Sequence, residues 1–150
     1  MGTIAELYRA VKRFDDKKET IIADIIEDHK EEIVQLNRDQ LNQGLLATGT
    51  KIRPGYRSRK YAEAKNQINS LPGYGTPDLK LTGEFQRRMD LWRKGNKFYL
   101  DSRDDKVEGL AAKYGEEIFG LTNESRAKAM RIVKPEFMRK LSQMTGLKLT

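Results

Sequence analysis

The sequence predicts an α+β chain: a small antiparallel sheet packed by a long N-terminal helix and C-terminal helices, with a long basic loop between them. Three observations carry this. Apolar residues Ile22, Ile25, Ile26, Ile33 and Leu36 recur at three- and four-residue steps, the period of a helix buried on one face. Residues 85–91 and 97–101 alternate with period two around Arg93-Lys94-Gly95-Asn96, the pattern of a hairpin. Ala127, Met130, Val133, Phe137, Leu141 and Met144 form a second helical stripe. At 150 residues the chain fits one domain, able to bury roughly 70% of its unfolded surface. It divides into a helical region 1–43, a loop 44–80, and a hairpin with C-terminal helices over 81–150.

Each element has a local reason. Residues 3–13 predict a short amphipathic helix through Ile4, Leu7, Tyr8 and Val11, with Asp15 or Asp16 capping the next one. The long helix then runs to about Gln43, and Gly44 stands where a helix ends in a left-handed residue. Glycines and prolines from Gly44 to Pro77 punctuate the following connection, with room for a turn or two of helix around Ser58–Asn69. A connection of that length in a small domain is usually functional or ordered by a partner. In the first strand Phe85, Arg87, Met89 and Leu91 share one face, and Gln86, Arg88, Asp90 and Trp92 the other. Two strands are marginal alone, so this hairpin needs helix packing, a third strand from 44–80, or a strand from another subunit. Ser102 or Asp104 caps a helix through Val107, Leu110, Ala111 and Tyr114, closed by Gly115, and Thr122 caps the last one. Pro135 predicts a kink or break in it.

Composition narrows function. There is no cysteine, which excludes disulfides, thiolate metal sites and cysteine nucleophiles. No apolar run approaches the ~18 residues of a membrane span, and the N-terminus lacks a secretory core, so an intracellularly made, membrane-free protein is expected. The net charge of +7 is concentrated: residues 51–97 hold 12 basic and 4 acidic side chains, while residues 1–50 are net acidic. A polyanion or an acidic protein surface would dock on that middle third.

No motif in the sequence predicts a catalytic constellation. Gly44–Lys51, GLLATGTK, has Thr50 and Lys51 in the reverse order for a phosphate-binding loop and follows a helix rather than preceding one. His29 is the single histidine and falls on an apolar stripe. The adjacent acids Asp104-Asp105 and Glu116-Glu117 suit helix starts better than a cleft. No catalytic residue, cofactor or metal is therefore expected. The basic run Lys51, Arg53, Arg57, Arg59, Lys60 and Lys65 is interleaved with Tyr56 and Tyr61. Three readings stand for it: a solvated loop, a dock for an acidic protein, or sequence-nonspecific contact with DNA phosphates and bases. Trp92, on the polar strand face, needs cover from the chain or from a partner. Lys51, Arg53, Tyr56, Arg57, Arg59, Lys60 and Trp92 are thus the candidate interface residues.

Five segments in order carry a resemblance: L-N-x-x-Q-L-x-x-G (Leu36–Gly44), G-Y-x-x-x-x-Y/A (Gly55–Ala62), L-T-G-E-F (Leu81–Phe85), K-Y-G-E-E-I-F-G-L-T (Lys113–Thr122) and I-V-K-P-E-F-M-R-K-L (Ile132–Leu141). Together they resemble the virion-morphogenesis and tail-completion proteins of tailed phages and prophages of Bacteroides-type bacteria, crAss-like phages included. The 44–80 loop is more basic, and its proline-glycine run longer, than the family pattern. The resemblance implies a non-enzymatic virion protein made in the host bacterial cytoplasm. It would be a structural subunit of the neck or tail, forming a ring with copies of itself in the head–tail connector or tail-completion complex. Its neighbours would be portal, neck or tail proteins. A loop facing the ring's lumen would touch phage DNA without reading bases. The alternative is a sequence-nonspecific nucleic-acid-binding accessory protein of the phage.

Overall fold

A computed structural model describes residues 3–148; the ends of the expected domain, 1–2 and 149–150, lie outside the described residues. The element order is α1 (Ile4–Asp28), α2 (Lys30–Asn42), α3 (Arg59–Ile68), the single turn α4 (Glu84–Arg87), β1 (Met89–Lys94), β2 (Lys97–Ser102), α5 (Val107–Tyr114), a 3₁₀ turn (Glu116–Ile118) and α6 (Asn123–Thr145). The fold is α+β: α6 packs along α1, while α2 packs on a two-stranded antiparallel sheet.

Two apolar clusters hold these parts together. Ile33, Val34 and Leu41 of α2 pack with Ile52, Phe85, Met89, Leu91 and Ile118. Between α1 and α6, Phe14, Ile21, Ile25 and Val133 form the second, extended by Phe137, Leu141 and Met144. Phe14 meets Phe137 edge-to-face at 5.3 Å, the geometry aromatic pairs favour. Thus the period-3.6 stripes on α2 and α6 are core faces, as expected. Ala127 and Met130, in the first half of α6, are the exceptions and are exposed.

The first helix departs from expectation. No break occurs near Asp15 or Asp16; α1 is continuous from a capping box at Thr3 and Glu6 to Asp28. Nothing at 14–16 interrupts the ladder: Asp15 pairs with Lys18 one turn on, and Phe14 is anchored on Phe137. The break falls instead at His29, where φ is −111° and ψ 20°. Its ring joins the two helices to α6, with Nδ1 at 2.9 Å from Glu32 and Nε2 at 2.6 Å from Glu136. The expected short helix at 3–13 also does not bury its stripe: Ile4, Leu7, Tyr8 and Val11 are all exposed.

Gly44 ends α2 as expected, at φ 72°. The amide of Leu45 donates to Gln40 O and that of Gly44 to Leu41 O, both at 2.9 Å, closing the helix in a Schellman motif. A Cβ at Gly44 would lie 2.6 Å from Pro72 Cβ, so this position needs glycine for space as well as for backbone.

The first strand starts later than its alternation suggests. Glu84–Arg87 form a helical turn entered through Gly83 at φ 85°, and pairing begins at Met89. Arg38 decides this: its guanidinium donates to Gln86 O at 2.6 Å and to Arg87 O and Met89 O at 3.3 Å, holding carbonyls that a strand would point elsewhere. Phe85 stays buried, but from a turn. The hairpin loop is the two residues Gly95-Asn96, with Lys94 opposite Lys97, Trp92 opposite Tyr99 and Leu91 opposite Leu100. Arg93 and Lys94, expected in the turn, belong to β1. Arg93 also ties the hairpin to α1 through Asp24 and Glu27 at 2.7 and 2.8 Å. No third strand comes from 44–80; α2 supplies the packing.

The last elements follow expectation with two changes. Neither Ser102 nor Asp104 is the N-cap of α5. Ser102 ends β2 and donates to Phe85 O, while Asp104 accepts the Lys106 amide and sets the turn before the helix. Thr122 caps α6 through Ser125 N at 3.1 Å. Pro135 does not break α6. Pro135 and Arg131, whose carbonyl loses its amide partner, are both exposed, so water can serve that carbonyl. Val133 and Phe137 on either side of Pro135 are held by the same cluster.

Candidate functional site

The excursion between α2 and α4 is fixed by its own polar contacts. Leu45 and Lys51 form an isolated bridge, and Ile52 donates to Gly44 O and buries its side chain in the core. Tyr56 N donates to Gly75 O, closing a larger loop. Ser58 caps α3 through Tyr61 N, and that helix is ten residues long, more than the turn or two expected. At the base sits Asp78, almost wholly buried. It pairs with Lys65 at 2.8 Å and accepts from Asn69 Nδ2 and Lys80 N. Asn69 also donates to Asn42 O and Lys65 to Lys80 O, so one node ties both ends of the excursion to α2.

This sorts the candidate residues. Arg53, Arg57 and Lys60 are exposed and have no ion-pair partner among the described residues. Arg59 is exposed, with Glu63 at 3.5 Å. Lys51 is exposed along its length but spends its Nζ on Pro72 O at 2.7 Å. Tyr56 turns inward, edge-to-face on Tyr61 at 4.9 Å. Burial, with the nearby Asp78 charge adding to it, pushes its hydroxyl up to about 12. Lys65 leaves the basic run altogether, because its charge is committed to Asp78. Trp92 lies on the hairpin face away from the core, beside Tyr99, with the Arg103 guanidinium 5.5 Å from its ring centre. Its cover comes from within the chain, and it is not grouped with the Tyr56–Tyr61 pair.

An element that sequence reasoning missed lies on the same excursion. Ile68, Leu71 and Leu81 are 81%, 68% and 74% exposed. With Tyr61 and the stem of Lys80 they line a shallow depression of about 420 Å³. The excursion is therefore a mixed surface, with unpaired cations and uncovered aliphatic side chains. The sequence marks these aliphatic side chains only as isolated apolar residues in a glycine- and proline-rich stretch, which periodicity does not detect.

The motif residues, by contrast, are used inside the chain. Asn37 donates to Ile118 O and accepts from Gly120 N, both at 3.0 Å. Gln40, one turn on, donates to Gly120 O and accepts from Thr122 N, both at 2.8 Å. Two amide side chains on α2 thus act as the neighbouring strand for the extended segment 118–122. Leu36–Gly44 and Lys113–Thr122 are two halves of one contact. Gln86, beside L-T-G-E-F, donates to Asp78 O and Asn42 Oδ1, and Phe85 tilts against Phe119. Glu136 and Phe137 of the last motif meet His29 and Phe14. The legible sign was polar Asn37 and Gln40 at core spacing on the Ile33–Leu41 face.

The one histidine sits between two carboxylates, those of Glu32 and Glu136. His29 is held above its usual range by its hydrogen bond to Glu32 first and Glu136 second, and Glu136 is held low chiefly by His29. These shifts belong to a helix junction. Among the described residues no cluster of three His, Asp or Glu could hold a metal ion, and no helix is long and apolar enough to cross a membrane. No buried side-chain polar atom among them lacks a partner. Fold and surface together define a class: an α+β chain whose interior polar groups fix its own backbone and which carries Arg53, Arg57, Arg59 and Lys60 exposed on one basic, partly apolar excursion. Compared with protein-family models, with curated proteins and with solved structures, the chain shows no significant match.

Proposed function

We propose that the chain is a structural, non-enzymatic subunit of a tailed-phage neck or tail, assembling as a ring in the head–tail connector or tail-completion complex. The observation that carries this is the pairing of uncovered Ile68, Leu71 and Leu81 with unpaired Arg53, Arg57 and Lys60 on one excursion. Exposed aliphatic side chains gathered in one depression mark surfaces completed by another protein. A surface tracking a phosphate backbone gains nothing from them. The five-segment resemblance supports the same class, and the use of its motif residues as internal ties suits a scaffold.

Arg53→Glu, Arg57→Glu and Arg59→Glu together, and Leu71→Asp with Leu81→Asp, should each leave folding intact and abolish incorporation into particles. Incorporation is read as copies per portal in purified virions. The unpaired cations favour one other reading, nonspecific binding of nucleic acid. That reading predicts retardation of DNA by the isolated chain with a steep salt dependence, lost on the arginine changes and untouched by the leucine ones. Absence from purified particles would overturn the proposal.

A further inference from the structure

The hairpin has one finished edge and one unfinished edge. In a two-residue hairpin the pair next to the loop, Lys94 and Lys97, exchanges hydrogen bonds, and pairs then alternate. The backbones of Met89, Leu91 and Arg93 therefore point outward from β1, and those of Phe98, Leu100 and Ser102 outward from β2. The contacts agree. Met89 O accepts from Arg38, the Leu91 amide donates to the carboxylate of Asp90, and the Ser102 amide to that of Asp101. On β2, none of the hydrogen bonds among the described residues reaches Phe98 or Leu100 from outside the hairpin. Open strand edges are templates for another strand.

Charge says which strand. Within the hairpin like charges face each other: Lys94 opposite Lys97, and Asp90 opposite Asp101. Such pairs are unfavourable. Asp90 is relieved by Lys30 and Arg103, whereas Lys97 and Asp101 have no ion-pair partner among the described residues. We infer that β2 pairs antiparallel with β2 of a second copy about a two-fold axis at Tyr99. That register sets Phe98 against Leu100 of the other copy, so the two outward backbones meet and exchange four hydrogen bonds across the pair. It also sets each Lys97 against the other copy's Asp101, in the closer, non-hydrogen-bonded type of pair. Tyr99, 53% exposed, meets its own image.

The product is a four-stranded sheet with one apolar face, past the three strands that independent stability requires. Beside β2 runs an apolar groove of about 660 Å³ lined by Ile22, Leu91, Leu121, Met130 and Val133, with Arg126 its only charged lining residue among the described residues. Phe98 and Leu100 of the second copy fall on that face of the extended sheet and cover it. The inference does not rest on the virion reading. A two-fold contact stops at two copies, so growth to a ring must use another surface, such as the excursion.

Sedimentation of the full chain tests it. The mass should rise from 17.3 kDa toward twice that value between roughly 10 µM and 1 mM, as a small interface allows. Lys97→Asp or Asp101→Lys should weaken pairing by about tenfold or more, and the double exchange should restore it. Each single change replaces a like-charge pair inside the hairpin by an opposite one, so lost pairing cannot be attributed to unfolding. The sequence has no cysteine, so Tyr99→Cys introduces a sole thiol. Its Cα would lie about 4.5 Å from its image, within disulfide reach. It should cross-link on oxidation far faster than Leu81→Cys. A chain that stays monomeric to about 1 mM, a double exchange that fails to rescue, or a Tyr99→Cys variant no faster than Leu81→Cys would each overturn the pairing.

Discussion

Asn37→Ala tests whether α2 acts as a substitute strand. Asn37 is fully buried and is the partner of two main-chain groups, Ile118 O and Gly120 N. Truncation leaves both unserved, at about 1–3 kcal/mol each. Relaxation of the segment toward water reduces the sum, giving about 3 kcal/mol. Against the 5–15 kcal/mol that holds a typical domain, this would move a urea midpoint by about 1–3 M, given a slope of roughly 1–3 kcal/mol per M for a small protein. The single tryptophan, Trp92, provides a fluorescence signal on the hairpin, and circular dichroism reports the helices. Asn37→Asp is the sharper variant. It keeps an acceptor for Gly120 N but turns a carboxylate toward Ile118 O, so it should cost at least as much as alanine. Combined with Gln40→Ala, which frees Gly120 O and Thr122 N, the losses should be less than additive, because one detached segment accounts for both. A loss below about 1 kcal/mol with an unchanged slope would refute the claim, since an orphaned buried pair cannot be that cheap.

Gly44→Ala should destabilise by about 2 kcal/mol or more, because the new methyl group meets Pro72 at 2.6 Å and the backbone sits at φ 72°; thermal melts check it. Within the basic run, Lys65→Ala should cost about 3–5 kcal/mol by stranding buried Asp78, while Arg57→Ala stays within about 0.5 kcal/mol. Denaturant titration of the two variants separates a structural lysine from a free arginine. The His29–Glu136 contact should give stability a pH window. His29 titrates above its usual 6.5 when folded, so its contribution is complete below 6.5 and lost as pH rises through the folded value. Glu136 titrates below its usual 4.5, so its contribution is complete above 4.5 and lost as pH falls through the folded value. The melting-temperature gap between the native chain and His29→Gln should therefore be widest between pH 4.5 and 6.5 and shrink on both sides.

The sequence by itself determined the α+β class, a hairpin turning within 93–96, the stop at Gly44, the start at Thr122 and the core faces of α2 and α6. Each rests on local backbone preference or on periodicity, which a few neighbouring residues encode. It also located the basic excursion and its exposed arginines. Only the tertiary structure decided the break at His29, the late start of β1, the integrity of α6 across Pro135 and the withdrawal of Lys65 into an ion pair with Asp78. In each of these a partner far along the chain outweighs local preference: Glu136 at His29, Arg38 at the Gln86–Met89 carbonyls, Phe14 against Phe137. Nor does local pattern say which apolar residues stay uncovered. Ile33 is buried and Ile68 is exposed, because burial depends on what else the folded chain brings to that spot.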